Sequence, residues 1–456
     1  MRLPIAIELG AESHRIIPTI LLMLTLFVPS VLVQPLAARR VAGLTWDRTY
    51  GSGYLSGAPG ELSYVEQTKD GGFIMSSWGF VMKTDANGAP EWQRTYVPEG
   101  YSLNGMTPVA VTKDGGYLLV GTVTSCCPCP CPQYGWTLKL TSAGNVEWSK
   151  LYGETDLHVG APEDGFLIGL QTSDGGYVVA GMEWGLDNSG WLLRLDHVGN
   201  IIWQEKYEGH TVSSVEQTQE GGFIVAGFAI FDGPGWTAKL DNKGHVEWSK
   251  TYDFTETSQV LPGQTRLSQR LQHVRQTFDG GFIGIGERTA LGGEDVLQYD
   301  IPILRMNDRG EILWQRSYSN GVSFGGLHSV EETFDHGFLI ASGPSLLKLN
   351  HAGNLVWQKS YGGFLEQARG SSDGGIIATG DFHGSAWALR LDARGDADGC
   401  QISTPSNATL TKTHSTTFDT PATFVASNAF VRSSNVSIST TAFTTQNQCN
   451  IRTKTT

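Results

Sequence analysis

One three-part pattern, written seven times, limits what this chain can fold into. Trp-x-x-x-Tyr occurs at Trp46/Tyr50, Trp92/Tyr96, Trp148/Tyr152, Trp203/Tyr207, Trp248/Tyr252, Trp314/Tyr318 and Trp357/Tyr361. A spacing of four puts both rings on one face of a strand, because side chains alternate with period two. Asp-Gly-Gly before an aromatic or apolar run begins at Asp70, Asp114, Asp174, Asp279 and Asp373, with Glu220-Gly-Gly and Asp335-His-Gly as variants. Asp-Gly between alternating strands is a strong hairpin signal, since tight turns need positive φ. The third part is an apolar strand with a central cation, at Lys83, Lys139, Arg194, Lys239, Arg305, Lys348 and Arg390, each ending in a turn that runs x-x-Gly.

Two hairpins per unit make four antiparallel strands, and units of about 38–66 residues are in the range of propeller blades. An outer strand (44–51) precedes every inner strand, and the last unit (367–392) ends without one. Lending the first strand to the last unit would close a ring and hide its sheet edges. The expectation is therefore an all-β fold: a seven-bladed β-propeller over residues 41–399, its N-terminal strand closing the last blade. The recurring Trp and Tyr are expected between adjacent blades and the recurring cations in ion pairs or on solvated blade faces. The turn Asp residues are expected to accept local backbone hydrogen bonds.

The run Leu240-Asp-Asn-Lys-Gly-His-Val-Glu-Trp248 and its copies resemble the docking motif of quinoprotein-like (PQQ-type) β-propellers, in which a turn Gly shortly precedes a Trp. The Asp-Gly-Gly and Trp-x-x-x-Tyr units also resemble repeats of exported bacterial and archaeal proteins. The resemblance covers about residues 41–397 and implies the propeller architecture. It leaves the activity open, because that superfamily holds both dehydrogenases and non-catalytic assembly scaffolds. The quinone enzymes have eight blades and an adjacent Cys-Cys against the cofactor. Cys126-Cys127 is adjacent here, but it sits beside Cys129 and Cys131 in a seven-unit chain with no recognisable calcium-binding acids. No cofactor and no metal are expected.

Residues 16–33 form an apolar run behind His14 and Arg15, followed by Pro35-Leu-Ala-Ala38 and Arg39-Arg40. This describes a secretory signal or an uncleaved N-terminal membrane anchor over residues 1–40. In an exported protein the six cysteines read as disulfides, two within Cys126, Cys127, Cys129 and Cys131 and one joining Cys400 to Cys449. Thiolate metal binding or redox chemistry is the alternative for the clustered four. Residues 400–456 are Ser/Thr-rich with a loose seven-residue rhythm, as in short β-strands between polar turns or a disordered tail. The ends are net positive, so the 41–400 body holds −18 within a total of −13. A body that acidic repels phosphate backbones and excludes nucleic acid as the expected partner.

The two faces of such a disc differ. Every inner hairpin turn repeats Asp-Gly-Gly and every outer one repeats x-x-Gly, so that face reads as uniform. The opposite face carries the variable loops 121–135, 181–190, 227–235, 253–269 and 286–300. Rigid scaffolds carry function on variable loops. The candidate binding residues there are Trp184, Asp187, Phe231, Asp232, Glu294, Asp295, Tyr299, Asp300 and His383, with His158, His210 and Asp381 beside them. No phosphate loop, His-Glu-x-x-His or Gly-x-Ser-x-Gly occurs, and no catalytic residue is singled out. The expected function is an exported, monomeric, non-catalytic binding or scaffold module for a protein or glycan at the cell envelope. A secreted glycan hydrolase or lyase using channel-mouth acids is the alternative, and a quinone-type oxidoreductase a more distant one.

Overall fold

A computed structural model describes residues 45–50, 61–105, 108–125, 132–153, 163–184, 189–230, 233–254, 266–292, 295–319 and 329–397, together with seven short backbone stretches between 403 and 447. The expected signal or anchor and all six cysteines lie outside these residues. Every named element is a strand, and the arrangement is that of a β-propeller. No helix among the described residues is long and apolar enough to cross a membrane.

Six four-stranded antiparallel units follow one another along the chain. The first runs Tyr64–Gln67, Phe73–Ser77, Phe80–Thr84 and Pro90–Pro98. The second is Val109–Val111, Tyr117–Ser125, Gln133–Leu140 and Val146–Gly153. The third is Glu163–Gln171, Tyr177–Trp184, Ser189–Leu195 and Ile201–Glu208, and the fourth Ser214–Gln217, Phe223–Phe228, Gly235–Leu240 and Val246–Asp253. Arg266–Gln276, Phe282–Gly292, Asp295–Met306 and Ile312–Ser319 form the fifth. In the sixth, Gly343 (φ 54°) bends the element Phe338–Leu349. Its first half pairs with Ser329–Glu332 and its second half with Leu355–Gly370. The far half of that last strand pairs on with Ile376–Phe382, which pairs with Ser385–Leu391, which pairs with Trp46–Tyr50. These latter strands are called the last unit below.

Separate sheets for every unit are not what forms. Hydrogen bonding joins the strands into five sheets of 8, 11, 5, 5 and 5 strands. Leu355–Gly370 runs on from the sixth unit into the last, and a single parallel bridge between Glu163 and Gln133 ties the second unit to the third. The expected 286–300 loop is likewise largely strand, because Phe282–Gly292 and Asp295–Met306 continue their ladder out to Gly292 and Asp295.

The Ser/Thr-rich tail resolves the two readings of its sequence in favour of short strands. Ser403–Pro405, Thr409–Lys412, Thr416–Asp419, Phe424–Val425, Phe430–Ser433, Val436–Thr440 and Thr445–Asn447 each pair antiparallel with the outermost strand of one unit. They visit the sixth, fifth, fourth, third, second, first and last units in that order, so the tail runs backward around the units. An outer strand presents unpaired backbone groups, and the Thr- and Val-rich segments are good partners for it. A seven-residue step of extended chain reaches about 23 Å. That is ample for neighbouring sheets packed about 10 Å apart at their faces and splaying outward.

Between units the recurring aromatics do what their spacing implies. A methyl group placed on a turn glycine would fall 2.7–3.1 Å from the Trp ring of the preceding unit at Gly88/Trp46, Gly144/Trp92, Gly199/Trp148, Gly244/Trp203, Gly310/Trp248, Gly353/Trp314 and Gly395/Trp357. All seven glycines have positive φ, so they satisfy the turn and the close ring approach together. The Tyr hydroxyl then donates to the same turn's carbonyl: Tyr50 to Gly88, Tyr152 to Gly199, Tyr252 to Gly310 and Tyr361 to Gly395 at 2.8 Å, and Tyr96 to Gly144 at 2.6 Å. At the Tyr318 junction Arg316 Nε donates to the Gly353 carbonyl instead. Burying each such ring stabilises by about 1.5–3 kcal/mol, and each hydrogen bond adds about 0.5–1.5 kcal/mol.

Candidate functional site

The recurring charges are spent inside the blades. The third-strand cation reaches back over the inner hairpin turn to its Asp: Lys83 to Asp70 (2.9 Å), Lys139 to Asp114 (2.8 Å), Arg194 to Asp174 (2.5 Å), Arg305 to Asp279 (2.5 Å) and Lys348 to Asp335 (2.6 Å). Arg390 pairs with Asp373 in the same way, and Lys239, opposite Glu220, takes Glu247 at 2.9 Å. The cations are buried, with side-chain exposure of 1–14 %. The cations therefore sit within the blades, while the turn aspartates that meet them stay 47–68 % exposed. Burial alone would raise the pKa of Asp114, but Lys139, the Thr112 hydroxyl and the Gly116 N–H outweigh it and hold the carboxyl at about 2. Asp70, Asp279 and Asp335 are held at about 2 by equivalent partners. The turn Asp thus has two tasks, capping its turn and neutralising a buried cation.

Non-recurring charge collects where the inner strands converge. The residue two before the turn Thr or Ser is Glu66, Ala110, Leu170, Glu216, Arg275, Glu331 and Arg369 along the seven inner strands. All of these but Glu331 line a cavity of about 210 Å³, with Tyr64, Ser214, His273 and Gln367. Arg369 lies 3.8 Å from Glu66 and 3.5 Å from Glu331, and Arg275 3.8 Å from Glu216. Each glutamate also accepts a backbone N–H from the next unit: Val111 to Glu66 at 2.7 Å, Gln276 to Glu216 at 2.8 Å and Gly370 to Glu331 at 3.2 Å. These charged groups stitch adjacent units together while keeping 19–30 % of their side chains open to the lumen. Burial pushes Glu331 up to about 7 against the pull of Arg275 and the Gly370 N–H, with Glu66 and Glu216 adding repulsion. Burial likewise raises Glu66 and Glu216. The girdle combines three acids with two arginines and can hold a polar or charged group by ion pairing. No group of three or more His, Cys, Asp or Glu suited to a metal ion occurs among the described residues.

The loop-face candidates that are described belong to the third, fifth and last units. Tyr299 and Asp300 are 5 % and 7 % exposed, and Asp300 pairs with Arg288 at 2.8 Å. Both belong to the extended hairpin of the fifth unit. His383 has φ 53° in the turn between Ile376–Phe382 and Ser385–Leu391, its ring 4.5 Å from Phe382. Asp381 accepts the Gly384 N–H across that turn, and burial raises its pKa. His210 forms a bridge with Ala229, packs 5.0 Å from Trp236 and has its pKa lowered by burial. Trp184 ends one strand and Asp295 begins another. Asp187, Phe231, Asp232, Glu294, His158 and all six cysteines lie outside the described residues. The lumen girdle was not singled out from the sequence. Aligning the seven inner strands on their turn Thr or Ser would have exposed it, because charged residues then occupy one column otherwise apolar.

No protein-family model matches the chain, and no curated protein matches it. Among solved structures it is similar to a protein of unknown function from Bacteroides caccae, with 15 % identity and a TM-score of 0.35 over 59 % of this chain and 93 % of that one. It is also similar to Raptor from Chaetomium thermophilum, with 12 % identity and a TM-score of 0.41 over 77 % of this chain and 29 % of that one. A third is the extracellular domain of a putative hybrid two-component system from B. thetaiotaomicron, with 8 % identity and a TM-score of 0.20 over 73 % and 51 % of the two chains. Likenesses this low transfer no role.

Proposed function

We propose that this chain is an exported, non-catalytic, seven-bladed β-propeller that binds a protein or glycan at the cell envelope. The observation that carries this reading is the use made of the recurring polar side chains. Tyr hydroxyls are taken up in joining units, as at Tyr252/Gly310, and turn aspartates and third-strand cations in holding each unit's own strands together, as at Lys139/Asp114. What remains for recognition is the set of residues that differ between units, in the lumen and on the variable loops, on a rigid frame of the kind that presents binding loops. Seven Trp/Gly junctions, seven tail strands and the pairing of Trp46–Tyr50 with Ser385–Leu391 support a closed ring of seven blades. The Gly–Trp contacts also support kinship with the quinoprotein-like propellers. Export is supported by the apolar run 16–33 and its basic flanks.

The test is a glycan array and a polysaccharide turnover assay run on the same purified chain. The reading expects saturable binding to an envelope protein or glycan with no new reducing or unsaturated ends. Turnover that disappears in Asp381→Asn or Glu331→Gln, with the fold intact, would replace it with the glycan-active enzyme.

A further inference from the structure

The hairpin-turn face, uniform in its turns, is not uniform in its chemistry. Just after the turn Thr or Ser, the seven units carry Lys69, Lys113, Ser173, Gln219, Phe278, Phe334 and Ser372. The backbone N–H at this position is normally taken by the next unit. Lys113 donates to Gln171, Ser173 to Gln217 and Gln219 to Gln276, each at 2.6 Å. Phe278 donates to Glu332 at 2.7 Å and Ser372 to Gln67 at 2.8 Å. Two junctions lack such an acceptor: Val111 stands in the accepting position between the first and second units, and Gly370, with no side chain to offer, between the sixth unit and the last.

A cavity of about 560 Å³ opens at the latter junction, lined among others by Glu331, Phe334, Leu339, Gly370, Ile376 and Ala393. It lies within the roughly 300–1,000 Å³ of ordinary ligand pockets. The backbone does not demand this glycine, since its φ is not in the left-handed region. A methyl group built on it meets only a Glu331 carboxylate oxygen at 3.4 Å, an ordinary contact. At the rim stand Phe334 and Phe278, 74 % and 60 % exposed, the two most exposed large apolar side chains among the described residues. The same unit breaks the Asp-Gly-Gly rule with His336, held at φ 57° where the other turns have Gly. Its ring sits edge-on to Phe278, with centroids 5.2 Å apart and planes at 89°. Residues held in this conformation are strained and tend to be kept at functional positions.

We propose that this slot is a peptide-binding site, taking an apolar side chain of a partner segment that carries a Lys or Arg close by. Leu339, Ile376 and Ala393 line it with aliphatic surface, beside the polar side chains of Thr333, Ser371 and Ser372. Two exposed phenyl rings at the mouth of an apolar slot have the composition of an interface hot spot. Asp335 in the lining is bound to Lys348 and Glu331 faces Arg369 at 3.5 Å, which leaves Glu332, accepting the Phe278 N–H, to give the lining its negative charge. That charge favours a cationic neighbour for the anchor, which can also lie over a phenyl face. The site lies on the face opposite the variable loops, so it stands or falls independently of what those loops bind.

The experiment is selection of a random heptapeptide phage library on the immobilised full chain, followed by titration of the enriched peptides against wild type, Gly370→Gln and Phe334→Ser. Gly370→Gln restores the side chain found at the same position of other units and fills the slot without a backbone penalty. Phe334→Ser changes an exposed residue. Enrichment of peptides with an aromatic or large aliphatic residue within two positions of Lys or Arg is expected. Their affinity is expected to fall at least tenfold in both variants, while Gly370→Gln melts no lower than wild type. No enrichment over an unselected library, enrichment of acidic or wholly polar peptides, or binding unchanged in Gly370→Gln overturns the assignment. Oligosaccharide binding that Gly370→Gln abolishes, in place of peptide binding, overturns it too.

Discussion

Replacing Tyr252 with Phe removes a single oxygen from a ring that has no exposed surface. That oxygen donates to the Gly310 carbonyl at 2.8 Å and accepts from the buried Thr237 hydroxyl at 3.3 Å. Nothing else in the interface changes shape, so the cost is that of leaving a buried carbonyl unpaired, about 1–3 kcal/mol. Tyr50→Phe makes the same deletion where the N-terminal strand meets the first unit. Tyr50 is 2 % exposed and donates to Gly88 at 2.8 Å. If Trp46–Tyr50 is clamped into the last unit, both substitutions cost about 1–3 kcal/mol, the one at Tyr252 somewhat more because the Thr237 hydroxyl also loses its acceptor. If that strand frays, Tyr50 is already partly hydrated, and its deletion costs close to nothing. Urea unfolding of the full chain, compared at a common midpoint slope, reads the difference. A full cost for Tyr252→Phe with none for Tyr50→Phe would refute the closure reasoning.

Three further outcomes follow from the same geometry. Gly244 and Gly221 share nearly the same φ (90° and 88°), but a methyl on Gly244 falls 3.1 Å from Trp203 whereas Gly221 faces open space. Ala at either position costs about 1–2 kcal/mol for the left-handed backbone. Gly244→Ala should cost measurably more in thermal melts, and equal losses would mean that the Trp does not dock. Glu331→Gln should stabilise increasingly as pH rises. With a folded pKa of about 7 against an ordinary 4.5, the carboxyl is neutral in both states at acid pH and penalises the folded state progressively between the two values. The full penalty at pH 8 is about 3 kcal/mol at 1.36 kcal/mol per pKa unit, and a variant whose advantage does not grow from pH 5 to pH 8 contradicts this. Deleting 403–456 strips one strand from every outer edge, and exposed edges template association. The truncated chain should keep its far-UV β signature but elute as higher oligomers, and a well-behaved monomer would show that the tail does not cover those edges.

The blade was legible in the sequence because its parts recur. Trp148, Gly199 and Tyr152 serve one junction, and seven repetitions separate such residues from background. The partnership between Lys139 and Asp114 was half legible. The turn role of the Asp follows from local chemistry, but its reach to a cation 25 residues away needs the sheet order. The tail's rhythm fitted short strands or a disordered segment alike, and nothing local in Thr409–Lys412 says that its partner is Ile312–Ser319. The lumen girdle and the Gly370 slot escaped for the opposite reason. They are built from departures from the repeat, and Glu66, Gly370 or Phe334 taken singly is an ordinary strand or turn residue.

The central claim is a ring closed by its own first strand, and an experimental structure that counts radial sheets around the axis tests it most directly. Seven sheets, with Trp46–Tyr50 lying between Ser385–Leu391 and Thr445–Asn447, is the expected result. Six sheets around a narrower lumen, with residues 46–50 elsewhere, would contradict it and remove the basis for the junctions described above.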